Sequence, residues 1–310
     1  MRKILTGALA ALFLSLGANA RDIKPDFSIP LYPGGQEIES GIIENGLMVT
    51  GGPLESNGFS GELKYKSGFV SNVGDQARID IYLPRKCNGQ MVVVTPGGGY
   101  GNVSMRNEGE LVAKWLNSKG IAACVVLYRL PNFHHRIPLN DVHNAIRYCR
   151  LHAEEWGISK VGIMGFSAGG HLAGCASNIY DTPEQRPDFA VLIYPVVTLE
   201  RGVTHKGTAH RLTGDVQTLI DYYSLEKRVN SNTPPTIIIS CEDDRTVPIE
   251  NSLRYYSAMV KHGVPGELHV FTNGGHGWGF TTSKYGEDKL GAKQRADFFK
   301  ILSRWLKEQE

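Results

Sequence analysis

Ser167 stands in the run Val161-Gly-Ile-Met-Gly165-Phe166-Ser167-Ala168-Gly169-Gly170-His171-Leu172. A serine hydroxyl attacks a carbonyl only when a base takes its proton, and the base needs a carboxylate to fix its tautomer and steady its charge. The GxSxG pattern, with an apolar run before it and a helix-compatible run after it, puts the serine on a strained strand-to-helix turn; Gly165 and Gly169 leave the space that neighbouring side chains would fill. The helix that follows aims the positive end of its dipole at the developing charge. Among the histidines, His276 lies in a Gly-dense loop, Thr272-Asn-Gly-Gly-His276-Gly-Trp-Gly279, after a late strand and before the terminal helix. His205, His210 and His262 fall in lid-like or helix-end positions, His134, His135 and His143 lie upstream of the serine, and His171 is expected to pack or hydrogen-bond on the helix after it. Between serine and histidine, Cys241-Glu242-Asp243-Asp244-Arg245-Thr246-Val247-Pro248 supplies three adjacent carboxylates at the end of a strand, among which spacing alone does not choose.

The charge that develops on an attacked carbonyl oxygen needs preset N–H donors, each worth on the order of 3 kcal/mol of barrier. Thr95-Pro96-Gly97-Gly98-Gly99-Tyr100 follows the strand Met91 to Val94, and Gly98 and Gly99 are the donor candidates beside Ala168. No GK[ST] or GxGxxG accompanies this loop, which argues against a phosphate or dinucleotide cradle, and no HExxH or other ligand spacing points to a metal. No cofactor is expected.

These residues need a scaffold that brings distant loops together. From Ile79 the chain alternates short apolar runs with segments of helical period, the signature of a mostly parallel sheet covered by helices on both faces. The expected strands are 79–83, 91–94, 121–128, 161–164, 189–194, 236–240 and 268–271. Leu139, Val142, Ile146, Cys149 and Ala153 recur at helical spacing, as do Leu253, Tyr256, Met259 and Val260, and Phe298, Ile301, Leu302, Trp305 and Leu306 near the C-terminus; each set is read as a core-facing stripe. Two stretches break the rhythm: residues 21–75, rich in Gly, Ser and Asn, and residues 196–233, placed where a lid could sit over the sheet.

The chain of 310 residues carries 36 Gly, against roughly 22 at the usual 7% frequency, and 11 of the 36 fall in the three loops proposed for the donors, the serine and the histidine. With 33 basic and 31 acidic side chains and no block of like charge, capture of nucleic acid or an anionic membrane is disfavoured. Arg2 and Lys3, the apolar run Ile4 to Leu16 and Ala18-Asn-Ala20 form the three-part pattern of a secretory signal peptide, so export to the periplasm or the medium is expected, without a stable membrane anchor. Its removal takes two basic groups and no acidic one, leaving a formally neutral chain. The five Cys show no CxxC and are expected as buried thiols, with room for at most one bridge.

With PGGGY at 96–100, LYRL at 127–130, GFSAGGHLA at 165–173, DDRTVPIENSLRYY at 243–256 and GGHGWGF at 274–280, the chain resembles the secreted α/β-hydrolase esterases of the acetylxylan and feruloyl esterase type over about residues 75–310. The resemblance implies an α/β-hydrolase fold and hydrolysis of esters on plant cell-wall polysaccharide such as acetylated xylan, with Ser167, Asp244 and His276 as the triad. Asp244 is chosen because it begins the DxxVP pattern that hydrolases of this type use at the acid loop. Gly98, Gly99 and Ala168 would form the oxyanion hole and Tyr100, Tyr128 and Trp278 the substrate pocket. A feruloyl or small-molecule esterase, a prolyl-oligopeptidase-type peptidase and a non-catalytic sugar-binding module with stacking aromatics are the competing readings. Pro96 stands where an HGGG-type loop has His, which leaves the bracing of that loop open.

Overall fold

Runs such as Met91-Val-Val-Val94 and Thr236-Ile-Ile-Ile239 lack the alternation of a half-exposed strand, so they suit strands buried on both faces. The computed structural model describes residues 23–31, 42–44, 47–49, 64–71, 73–282 and 287–310, and places these runs in interior strands of an eight-stranded sheet, each with a neighbour on both sides. In chain order the strands are β1 (Phe27–Pro30), β2 (Ile42–Glu44), β3 (Leu47–Val49), β4 (Lys64–Lys66), β5 (Phe69–Ser71), β6 (Arg78–Tyr82), β7 (Gln90–Thr95), β8 (Ala122–Leu127), β9 (Lys160–Phe166), β10 (Ala190–Ile193), β11 (Thr236–Cys241) and β12 (Gly266–Phe271). The sheet runs β1-β6-β8-β7-β9-β10-β11-β12; β1, β6 and β8 pair antiparallel and every later neighbour is parallel. Strands β2 and β3 form one small hairpin and β4 and β5 another.

The helices are α1 (Leu111–Ser118), α2 (Ile137–Leu151), α3 (Ala153–Trp156), α4 (Ala168–Asn178), α5 (Lys206–Thr213), α6 (Gln217–Tyr223), α7 (Glu250–Lys261) and α8 (Ala292–Glu308). Helix α4 is buried along its whole length, against β9 and β10. The expected faces of α2 and α8 are the ones that pack inward, although Ala153 falls just beyond α2. On α7 the expected face is right at Met259 and half right at Tyr256, and wrong at its other two positions. Leu253 and Val260 are 49% and 62% exposed, while Asn251, Ser252, Tyr255 and Met259 turn inward. The reason is polar: the Asn251 side-chain carbonyl accepts the N–H groups of Val197 and Thr198, and the Ser252 hydroxyl bonds that of Ser240 at 2.6 Å. Apolar periodicity cannot see a face that buries hydrogen-bonded polar groups.

All seven strands expected from residue 79 onward are present, with ends shifted by one or two residues. The N-terminal stretch adds five short strands beyond those expected, β1–β5, and one of them, β1, pairs with β6 as an edge strand, where its Pro30 is tolerated, so part of residues 21–75 belongs to the main sheet. Hairpin β4–β5 docks through Val70, which exchanges backbone hydrogen bonds with Val103 at 2.8 and 2.7 Å. Residues 1–20, read above as a signal peptide, lie outside the described residues. All five cysteines are free thiols and all but Cys87 are buried.

Register decides where the loops emerge. Thr95 pairs with Gly165, Phe166 with Ile193, Ile193 with Ile239 and Cys241 with Phe271, so the carboxyl ends of β7, β9, β10, β11 and β12 lie in one row. In open parallel sheets this edge is where ligands bind. The segments leaving it begin at Pro96, Ser167, Tyr194, Glu242 and Thr272.

Candidate active site

The turn from β9 into α4 holds Ser167 at φ 52°, ψ −120°, a left-handed conformation that a non-glycine residue adopts only when its surroundings enforce it. Its N–H donates to the Ile193 carbonyl at 3.0 Å, and its own carbonyl accepts from Val196 and His171 at 3.1 and 3.0 Å. A methyl group on Gly165 would fall 2.2 Å from the Gly169 carbonyl oxygen, and one on Gly169 would fall 2.1 Å from that of Thr95. Both glycines are therefore demanded by close backbone approach. The Thr95 hydroxyl completes the clamp by donating to the Gly169 carbonyl at 2.8 Å.

Ser167 is 7% exposed, and its Oγ lies 2.9 Å from Nε2 of His276. The other ring nitrogen, Nδ1, lies 2.6 Å from Oδ2 of Asp244, whose second oxygen accepts the N–H groups of Thr246 and Val247 at 2.8 and 2.9 Å. With Asp244 occupied as an acceptor, the network assigns the histidine proton to Nδ1 and leaves Nε2 to receive the serine proton. Of the three adjacent carboxylates, Glu242 is exposed and Asp243 turns to the histidine loop, accepting the N–H of Gly275 at 2.8 Å and of Gly274 at 3.3 Å. Asp244 alone of the three meets the imidazole.

Gly98 at φ 133° and Gly99 at φ 61° form a turn closed by the Gly98 carbonyl, which accepts from Gly101 and Asn102. A side chain at Gly98 would strike the Asn102 carbonyl oxygen at 2.0 Å. The N–H of Gly97 is taken by Glu108 Oε2 at 2.7 Å, whereas those of Gly98, Gly99 and Ala168 donate to no protein acceptor among the described residues. The bracing left open by Pro96 comes from this glutamate and from the Tyr128 hydroxyl, which donates to the Pro96 carbonyl at 2.7 Å.

The three aromatics expected to line the pocket are packed elsewhere, a correction with one physical reason: their polar ends or faces are used inside the protein. Tyr128 is spent on Pro96. Tyr100 is buried with its hydroxyl 3.0 Å from His171 Nδ1, and Trp278 is buried edge-on to Tyr194 and Phe298 beneath the Arg295 guanidinium. Helix α5 and His205 just before it stand against the Gly99 turn instead. His205 Cε1 lies 3.2 Å from where a methyl on Gly99 would stand, and Arg211 donates to the Gly99 carbonyl at 3.1 Å. Burial, together with the nearby His276 and Arg211, holds the His205 imidazole below its usual range.

Helices α5 and α6 fill the expected lid region, and they are fastened to the body. Leu199, Leu212, Leu219, Ile220 and Leu225 are buried, and the Tyr223 carbonyl is held by His171 Nε2 at 2.8 Å. Glu108, Tyr194 and Arg211 escaped sequence reasoning. Glu108 reads as one more charge in an amphipathic run, Arg106-Asn-Glu-Gly-Glu110, and no local pattern marks it as buried.

The BD-FAE family model matches residues 79–228. A solved acetyl ester-xyloside bifunctional hydrolase from Caldicellulosiruptor lactoaceticus is 34% identical at a TM-score of 0.64, with 75% of this chain and 88% of that chain covered. The chain belongs to the α/β-hydrolase esterases. It is 40% identical over 249 residues to an acetylxylan esterase of Xylanibacter ruminicola (77% of this chain, 50% of that protein) and 35% identical over 243 residues to endo-1,4-beta-xylanase B of Butyrivibrio fibrisolvens (72% and 36%). It thus spans half or less of the length of these two curated relatives.

Proposed function

We propose that this α/β-hydrolase esterase is a serine carboxylesterase that removes acetyl groups from xylan-type polysaccharide. The observation that carries the reading is the line Ser167–His276–Asp244, at 2.9 and 2.6 Å, beside backbone donors left without protein partners. The likeness to an acetylxylan esterase at 40% identity supports the substrate class.

Ser167 Oγ bonds to the acetyl carbon as its proton passes to His276 Nε2, and Asp244 stabilises the imidazolium. The N–H groups of Gly98, Gly99 and Ala168 receive the oxyanion. Collapse breaks the bond to the sugar oxygen, which leaves as an alcohol carrying the proton from His276. Water then gives a proton to His276 and attacks the acetyl-Ser167 carbon; the second collapse releases acetate and returns the proton to the serine. Acetate release from acetylated xylan, abolished by Ser167→Ala, tests the reading. Cleavage of aryl acetates without release from xylan overturns the polysaccharide assignment, and preferential cleavage of feruloyl esters overturns the acetyl one.

Residues 1–20 are proposed to direct export. Mass spectrometry of the protein from expressing cells is expected to find an N-terminus at Arg21; an intact, cytosolic chain overturns this.

A further inference from the structure

We propose that Glu108 is a positioning residue for ester hydrolysis: it holds Gly97 so that the neighbouring Gly98 and Gly99 N–H groups stay on the oxyanion, and through Tyr194 it ties that loop to the loop carrying His276. The inference rests on the serine-esterase reading above. Glu108 Oε2 accepts the Gly97 N–H at 2.7 Å and Oε1 accepts the Tyr194 hydroxyl at 2.8 Å. The same hydroxyl accepts the N–H of Gly279 at 2.9 Å, three residues after His276, and the Tyr194 ring lies 4.8 Å from the His276 ring. One carboxylate and one phenol therefore connect both loops.

Gly279 supplies a proton to the Tyr194 oxygen, the phenol proton goes to one Glu108 oxygen, and Gly97 supplies a proton to the other. Each carboxyl oxygen thus has its own donor, an arrangement that a carboxylate accepting on both sides satisfies. A buried carboxylate is costly, and burial pushes its pKa up despite the two donors. Such a charge is poor evidence for stability, and its place at the junction of two site loops gives it a different purpose. The backbone is also irregular at both ends of the link. Glu108 sits in a π-helical turn, Arg106–Glu110, a form that concentrates at functional sites. Tyr194 has φ 37° directly after β10.

Glu108→Gln keeps the size of the side chain but cannot accept on both sides. Measured with an aryl acetate, it is expected to lower kcat roughly 30- to 100-fold with KM within about threefold. Affinity for a phenylboronic acid, which forms a tetrahedral adduct on an active serine, is expected to fall in step with kcat. Tm at pH 7 is expected to stay within a few degrees, because glutamine keeps the size of the side chain and one of its two acceptors. Tyr194→Phe, which keeps the ring on His276 and drops the hydroxyl, is expected to lower kcat about tenfold and carries the same test should Glu108→Gln not fold. Unchanged kcat, or a loss of KM and Tm together with kcat as for a merely structural residue, overturns the proposal. A fully active Ser167→Ala overturns the serine reading and this inference with it; an inert Ser167→Ala beside a normal Glu108→Gln overturns this inference alone.

Discussion

His276 and His171 lie on either side of Ser167, and both rings are hydrogen-bonded at both nitrogens. His276 has a carboxylate on Nδ1 and the serine on Nε2, with a side chain 16% exposed. His171, four residues along α4 from the serine, has a phenol on Nδ1 and the Tyr223 carbonyl on Nε2, wholly buried. Burial pushes its pKa down to about 4, and no carboxylate offsets that. On the proposed serine mechanism one ring is placed to become an imidazolium; the other stays neutral and fastens the lid region to helix α4. Nearness to the serine does not make a histidine a base. Its partners do.

The sharpest way to break this contrast is to exchange function at the two positions. His276→Gln is expected to lower kcat by roughly 10⁶-fold on an aryl acetate, the scale at which a triad base is lost, without lowering Tm. Comparable activity in His276→Gln and His171→Gln would refute the assignment. Asp244→Asn is expected to cost roughly 10⁴-fold, because the amide no longer fixes the imidazole tautomer or its charge. A loss of less than tenfold would show that Asp244 is no more than a hydrogen-bond partner.

His171→Gln is expected to keep kcat within about tenfold and to change the pH dependence of folding instead. A histidine held near 4 when folded and near its ordinary 6.5 when unfolded binds fewer protons in the native state between those values. Stability is therefore complete above pH 6.5 and falls as the pH drops toward 4, by on the order of 3 kcal/mol from this residue. His143, pushed down to about 4 by burial, acts in the same direction. Denaturant unfolding between pH 4 and 7 is expected to show a shallower decline in His171→Gln than in the parent; parallel curves would refute the buried neutral ring. Tyr100→Phe removes only one partner of His171, and the smallest effect is expected there, about 1 kcal/mol with kcat unchanged. A large loss of kcat would return Tyr100 to the substrate pocket.

Much of the frame was legible because it follows local rules. Strands buried on both faces must be Val- and Ile-rich, and a serine on a strand-to-helix turn needs glycines around it, so the strands from residue 79 and the elbow at Ser167 could be read directly. The inward face of α7 could not, since Asn251 and Ser252 are buried for their hydrogen bonds. Nor could β1, whose Phe27-Ser-Ile-Pro30 is short, mostly exposed and defined by the strand it joins. The aromatics near the site were misplaced for a related reason. A tyrosine suits a pocket wall and a loop brace equally well, and the partner of its hydroxyl distinguishes the two; Trp278 is placed by its ring contacts with Tyr194 and Phe298.

By itself the sequence determined that a serine, a carboxylate cluster and a histidine follow strand ends in an order that one fold can bring together. Tertiary structure decided which carboxylate faces the imidazole, which glycine N–H groups are left without partners, and that a buried glutamate joins the two loops. The physical reason is the range of the forces. Strand, helix and turn preferences are set by residues a few positions apart. Hydrogen-bond pairing among polar groups that stand 11, 32, 86 or 109 residues apart, as Gly97 and Glu108, Asp244 and His276, Glu108 and Tyr194, and Ser167 and His276 do, exists only once the sheet has aligned its strand ends.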